Sequence, residues 1–460
     1  GPSFDEGVAL AAAGNRRRRQ CVSRFVGTSP VAEPVSAALG EPGLRARVAA
    51  LRDEHARLWE ATPPVMPTLG PPVGWLRHLS NERAARRLVG ALAAEVEHVP
   101  DGERERQAWR ERVRERLQAF GEERLSWPAG YRRLLFADAF FSATVAFARE
   151  ARAFDPGLPV ESLGQALRNV WIGNSLQMRL GLPVALGPGL FASSMLYPLT
   201  DNLLDDPAFD GRAKRAFNDR FGRRLAGLPV RPEGASEAAV FELVLRIEKQ
   251  FPRGVFPDVH ESLLAIHCGQ VRSLGQQDDP RLSDPEIVAI SFEKGGSSVL
   301  ADVYLVAGEA GPGDERFAFG YGTFLQLLDD LQDVAADLEA GHQTIFTRAA
   351  RRGVLDGPAA RLGSFIDRIL DAEPVTGLEA GDRRDLIRRN CRALLVGAIA
   401  EQPQRFSRRF RHGLERQWPF SFGAMRRLRR HAERRLRDAA ARLVERTGAP
   451  SILDLALGPA

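Results

Sequence analysis

The sequence predicts an all-α protein. Three observations carry that expectation: apolar residues recur at three-to-four spacing among arginines and glutamates, alanine and leucine are in excess, and strand-like alternation bounded by Asn-Gly or Asp-Gly turns is hard to find. Residues 43–55 and 81–98 are the first amphipathic helices, and the pattern continues through 109–121, 129–151, 158–180 and 238–249. Gly and Pro cluster at 61–74, 182–189, 227–234, 309–313 and 373–381, which punctuates helices of ordinary length. The longest apolar stretch, 184–199, carries Gly187, Pro188, Gly189 and Pro198, and reads as a core helix with a bend rather than a membrane span. No repeat of about 20–50 residues is visible, which disfavours a solenoid.

With 460 residues, 44% of them hydrophobic, the chain is long enough to bury one large helical core or two smaller ones. Its 64 Lys+Arg face 59 Asp+Glu, so the surface is balanced rather than polycationic, and a nucleic-acid role is disfavoured. The three cysteines, Cys21, Cys268 and Cys391, form no ligand-like pair; neither a disulfide framework nor a zinc site is suggested, and a reducing cytoplasm fits. Gly1-Pro2-Ser3 looks like a tag-cleavage remnant. The run Arg16 to Arg19 lacks the order of a signal peptide, which predicts a flexible basic arm over 1–40.

Two acidic segments stand out. In the first, Asp201 and Asp205 are four apart and share one helix face, with Asp206 beside them. Like charges at that spacing repel by a few tenths of a kcal/mol (roughly 0.2–0.5), and a cation is the natural reason to place them in an apolar setting. The same residues also suit a helix cap with solvated acids. In the second, Asp329, Asp330, Asp333 and Asp337 occur within nine residues; Asp329, Asp333 and Asp337 form one stripe flanked by Leu328 and Leu331. Carboxylates without thiols or converging histidines select a hard cation, and magnesium usually bridges carboxylates to substrate phosphates. A diphosphate substrate and two or three magnesium ions follow as the expectation.

These residues resemble the trans-prenyl diphosphate synthase and class I terpene synthase superfamily, whose motifs are DDxxD and FQxxDDxxD. The segment from Phe324 to Asp333 carries Gln326 three before Asp329, although Leu325 separates it from Phe324; Asp201 to Asp205 lacks the second acid and looks like the variant of bacterial tetraprenyl-β-curcumene synthase-like cyclases. The resemblance implies an antiparallel isoprenoid synthase bundle with a central cavity, and metal ligation by Asp201, Asp205, Asp206, Asp329, Asp330 and Asp333. Phe292 to Ser298 occupies the place of the family's KT element, so Lys294 is expected to bind pyrophosphate and Gly295-Gly296 to break the helix and free carbonyls toward a carbocation. A plain glycine kink with a surface lysine is the other reading. Gln270 stands where the family carries its GQ pair and is expected to point into the cavity; Lys294, Gly295, Gln326 and Gln270 are the catalytic residues the resemblance implies. Asp337 to Thr344 resembles the D…GK…T element with His342 in place of lysine, still a pyrophosphate contact, or else a capping or core histidine. Tyr197, one turn before Asp201, would limit the length of the substrate tunnel.

A chain-elongating enzyme holds isopentenyl diphosphate with a GKRxRP-like loop. Gly74 to His78 and Gly173 to Arg179 are the nearest segments and neither has its basic residues in order, although a loop can diverge and bind through distant arginines such as Arg179 and Arg212. One anion site favours cyclisation. The NSE triad of other cyclases is also missing around Asn218. The expected organisation is N-terminal helices over 41–155 packed on the bundle, a catalytic core over 156–350 with both acidic motifs, and Arg-rich helices over 351–460 completing it. Trp418, Pro419, Phe420 and Phe422 lie between the arginines of 405–437; that stretch reads as a solvated face, with a membrane surface as a peripheral partner and closure over pyrophosphate as sharper options. A prenyl diphosphate is the implied substrate, and a homodimer remains open.

Overall fold

The computed structural model describes residues 43–100, 102–128, 130–131, 134, 138–205, 210–276, 281–373 and 380–447. Among them every regular element is helical, seventeen α-helices and two 3-10 turns, as the apolar periodicity predicts. In chain order the helices are α1 (Gly43–Glu60), α2 (Trp75–Glu97), α3 (Glu103–Leu125), α4 (Asp138–Phe154), α5 (Val160–Arg179) and α6 (Pro188–Asp205). There follow α7 (Gly211–Leu225), α8 (Ala235–Gln250), α9 (Pro257–Ser273), α10 (Asp284–Ala307), α11 (Pro312–Gln332) and α12 (Val334–Glu339). The last are α13 (Ile345–Arg352), α14 (Asp356–Asp371), α15 (Ala380–Glu401), α16 (Arg408–Glu415) and α17 (Phe422–Thr447). No helix among the described residues is long and apolar enough to cross a membrane.

The chain divides into two compact units, one of 43–66 and 165–373, the other of 67–164 and 380–447 among the described residues. The first, the acidic unit, is built round α10. Its ends are written in the sequence: Ser283 and Glu286 form a capping box, Pro285 occupies the first turn, and Gly308 ends the helix at φ 80°. Buried residues occur on every side of α10, as expected of a central helix, and it packs against α1, α6, α9, α11 and α13. Trp59 of α1 meets Phe292 of α10 and Phe365 of α14 edge-on, at ring separations of 6.2 and 5.5 Å. The apolar stretch begins its helix only at Pro188, and Leu190, Phe191, Ala192, Met195 and Leu196 are buried; Pro198 lies inside α6, where it removes one backbone donor.

The expected break at Gly295-Gly296 does not occur, because α10 runs unbroken through both glycines. They serve close packing instead. A Cβ on Gly295 would stand 2.3 Å from Gln326 Cβ and 2.6 Å from the Gly322 carbonyl oxygen, one on Gly322 would stand 2.2 Å from the Gly295 oxygen, and one on Gly296 would meet the Phe319 ring at 2.5 Å. Glycine lets α10 and α11 touch backbone to backbone, and the helical hydrogen bonds keep the carbonyls engaged.

In the arginine-rich unit α17 lies parallel to α2: Arg427 bonds Glu82 at 2.8 Å and Arg442 bonds Glu97 at 3.0 Å through Nε. The arginine face expected to be solvated is therefore partly paired, Arg429 also with Glu433 at 2.9 Å.

Candidate active site

Helix register sets which residues share a level. A Cβ on Gly189 of α6 would lie 3.5 Å from the Leu305 carbonyl of α10. Farther along α6, Ser194 shares the Asn169 amide with Asp302, each bonded at 3.2 Å. The two helices are thus antiparallel. About two turns on from Ser194 stands Asp201, roughly 10.5 Å along the axis, and about two turns back from Asp302 stands Lys294, roughly 12 Å. Asp201 and Lys294 therefore occupy one level of the unit. The side chains of Asp201 and Asp205, and Asp206 entirely, lie outside the described residues.

α11 and α9 reach the same level. Ser291 of α10 faces Asp330, and Gly295 faces Gln326 and Gly322. A Cβ on Gly269 would come within 3.1 Å of Lys294 Cα, so glycine allows α9 to pass beside the lysine; Gln270, expected in a cavity, is exposed. Lys294 itself is half-buried and makes no hydrogen bond or ion pair with the described residues.

The acidic stripe survives the end of α11. Asp333 ends the helix at φ −94° and ψ 4°, yet its N–H still donates to the Asp329 carbonyl and its own carbonyl accepts from Asp337 N–H, both at 2.9 Å. Asp329 is exposed, whereas Asp333 and Asp337 are half-buried. Burial first, then the charges of Asp330, Asp333 and Asp329, push the Asp337 carboxyl up to about 7 against the opposing pull of Lys294. Asp330 differs from the stripe. Only 6% exposed, it accepts from Gln326 Nε2 at 2.8 Å and Ser291 Oγ at 3.4 Å, and burial pushes it to about 7, with Lys294 as the main opposing charge. Both oxygens of the predicted ligand Asp330 are thus already engaged between the helices.

After α12 the chain turns through Gly341 at φ 73°, and His342 N–H returns to the Asp337 carbonyl at 2.8 Å, a Schellman closure that only a residue tolerant of positive φ allows. That turn sets the His342 ring beside its stripe: Nδ1 lies 3.8 Å from Asp337 Oδ1 and Nε2 lies 3.4 Å from Gln276 Oε1. Gln276, on the 3-10 turn after α9 and 2% exposed, donates to the Gln343 carbonyl at 3.1 Å and toward Ser291 Oγ at 3.5 Å, while its own carbonyl accepts from Gln343 N–H at 2.9 Å. A continuous polar chain thus links Gln326, Asp330, Ser291, Gln276 and His342. Sequence reading missed Ser291 and Gln276, since nothing near Gln276 marks a partner 66 residues away.

Other predicted contacts stand apart from this chain. Arg212 is exposed in the first turn of α7, and Tyr197 is 40% exposed on α6. Arg179, named as a distant anion binder, is committed to Asp314 at 2.6 Å and to Glu373, with its guanidinium 4.3 Å over the Phe317 ring. Among the described residues no group of three or more His, Cys, Asp or Glu is placed to hold a metal unaided. The donors nevertheless suit magnesium: hard carboxylate oxygens with an excess of negative charge, and an ion that takes one or two protein ligands and completes its shell with water and phosphate.

No protein-family model matches the chain, and no curated protein does. Among solved structures it is similar to geranylgeranyl pyrophosphate synthase from Corynebacterium glutamicum ATCC 13032, with 16% sequence identity, 65% of this chain and 94% of that chain covered, and a TM-score of 0.30. A score that low bears on neither fold nor function.

Proposed function

We propose that the acidic unit is a magnesium-dependent class I isoprenoid synthase, which ionises a linear prenyl diphosphate and cyclises the hydrocarbon with release of pyrophosphate. The observation that carries the reading is the stripe of Asp329, Asp333 and Asp337, in which the Asp337 carboxyl senses both the other acids and the otherwise unengaged Lys294, at the level that Asp201 reaches along α6. Asp329 and Asp333, with Asp201 and Asp205 opposite, would hold two or three magnesium ions, which neutralise the leaving pyrophosphate when bound. Lys294 supplies a mobile point charge to the same phosphates. His342 gives its Nε2–H to the Gln276 side-chain carbonyl oxygen and, once protonated, offers Nδ1–H as a directed donor. Gln326 and Ser291 hold Asp330 between α10 and α11, so the stripe keeps its spacing as charge arrives.

Cyclisation is favoured over chain elongation because a second anion site is missing from the sequence and Arg179, one of the arginines that could replace it, is tied to Asp314 and Glu373. One feature suits the alternative: a depression of about 310 Å³ lined by Gln343, Arg348, Arg351 and Arg352 adjoins the His342 turn, with Arg348 and Arg352 paired to Asp284 and Arg351 unpaired among the described residues. Incubation with linear prenyl diphosphates of several lengths and magnesium, read by mass spectrometry, tests both readings. The expected product is a hydrocarbon or alcohol of unchanged carbon count, formed without isopentenyl diphosphate and abolished by EDTA. A product five carbons longer, seen only when isopentenyl diphosphate is supplied, would select the alternative; full pyrophosphate release in excess chelator would remove both.

A further inference from the structure

The outward face of α2 is apolar where its inward face is polar. Inward, His78 Nε2 bonds the Trp418 carbonyl and Asn81 Nδ2 the Pro419 carbonyl, each at 2.9 Å, and Glu82 is buried on Arg427. Outward, Trp75, Leu76 and Leu79 are 69%, 65% and 42% exposed, three large apolar side chains in the first two turns. The next positions on that stripe are Arg83 and Arg87, both exposed and neither paired among the described residues. A helix facing only water has the opposite arrangement.

We infer that this face docks on a lipid bilayer carrying anionic headgroups. The spacing fits. With Trp75, Leu76 and Leu79 in the acyl boundary, Arg83 and Arg87 follow about 6 and 12 Å farther along the axis, at the depth of headgroup phosphates. The aromatic ring belongs at that interface. Charge points the same way, because the one acid between Trp75 and Arg87, Glu82, is buried inward on Arg427 of α17, which leaves the outward stripe net basic. A second copy of the chain is the poorer occupant, since a two-fold contact pairs this face with itself, and the face offers Arg83 and Arg87 no carboxylate: Glu82, the one acid between Trp75 and Arg87, is buried on Arg427. The inference rests on α2 and α17 alone and stands or falls separately from the reading of the acidic site.

Flotation of the full chain with vesicles of phosphatidylcholine, with and without phosphatidylglycerol, tests it. The chain should float with the anionic vesicles, and salt should release it. Trp75→Ser, Leu76→Ser and Leu79→Ser together should lower binding by about tenfold or more, since they remove the apolar anchor. Arg83→Gln and Arg87→Gln should each lower it by about fivefold and flatten the salt dependence. All five side chains are exposed, so circular dichroism should be unchanged. Wild-type chain that stays at the bottom of the gradient overturns the inference, as does equal flotation of the serine variant. Self-association by light scattering that the serine variant loses would identify a second copy as the occupant and overturn it equally.

Discussion

Replacing Gly295 with alanine separates two accounts of the glycine pair by the sign of one stability change. A helix-interior glycine with room beside it gains up to about 1 kcal/mol on that replacement, because alanine loses less backbone entropy. At Gly295 the methyl would instead stand 2.3 Å from Gln326 Cβ and 2.6 Å from the Gly322 oxygen, where carbon contacts need about 3.5 Å or more. Both obstacles belong to or adjoin the α11 backbone, so the helices must part. Overpacking costs about 1–3 kcal/mol, and against a backbone oxygen and a Cβ, which cannot swing aside, it lies in the upper part of that range, about 2–3 kcal/mol, which leaves a net loss of about 1–2 kcal/mol after the propensity gain. In a domain of this size the acidic unit's thermal midpoint should fall by roughly 2–8 °C. Thermal melts followed by far-ultraviolet circular dichroism and by residual pyrophosphate release would measure it. Gly313→Ala is the control, since a Cβ there has nothing within 4 Å. A Gly295→Ala chain as stable as wild type, with unchanged activity, would refute backbone contact between α10 and α11.

Three further outcomes follow from particular residues. Asp329→Asn should slow pyrophosphate release by about a hundredfold or more, measured by a coupled phosphate assay, with helicity retained because Asp329 is exposed. Asp302 is wholly buried with Oδ2 unbonded, and burial pushes it to about 7, the Asn169 bond opposing. The folded chain thus binds its proton more tightly than the unfolded chain does, and the stability from Asp302 is full below about 3.8 and lost as pH rises to about 7. Urea unfolding should accordingly show Asp302→Asn gaining on wild type between about pH 5 and pH 8, by an order of 2–4 kcal/mol, and parallel curves would refute the burial argument. Gln276→Leu strips the polar chain of its link to Gln343 and His342; it should destabilise by about 1–3 kcal/mol and raise the KM for the diphosphate more than it lowers kcat, whereas an unchanged KM would leave Gln276 a purely structural residue.

The all-helical class and the acidic stripe were legible because each is local; the capping of α10 is just as local, although sequence reading passed over it. Asp329, Asp333 and Asp337 fall on one face through a period of 3.6, and Ser283 and Glu286 are three apart. The glycine pair was legible as special but not in kind, since a break and a close contact both call for glycine, and only the position of Gly322 opposite Gly295 decides between them. Asp330 and its neighbours on the stripe read alike as ligands; burial between α10 and α11 sets Asp330 apart.

By itself the sequence determined what depends on neighbours within about two helical turns: helix positions, caps, the acidic face and the chemistry of hard oxygen donors. The tertiary structure alone decided which helices share a level. It placed Lys294 beside the stripe, brought Gln276 to His342 across 66 residues, committed Arg179 to Asp314 and Glu373, and left Trp75, Leu76 and Leu79 facing outward. The physical reason is that helix periodicity fixes only the angle at which a side chain leaves its own axis, while its partner is set by packing between axes, and packing depends on side-chain volumes far apart in the chain.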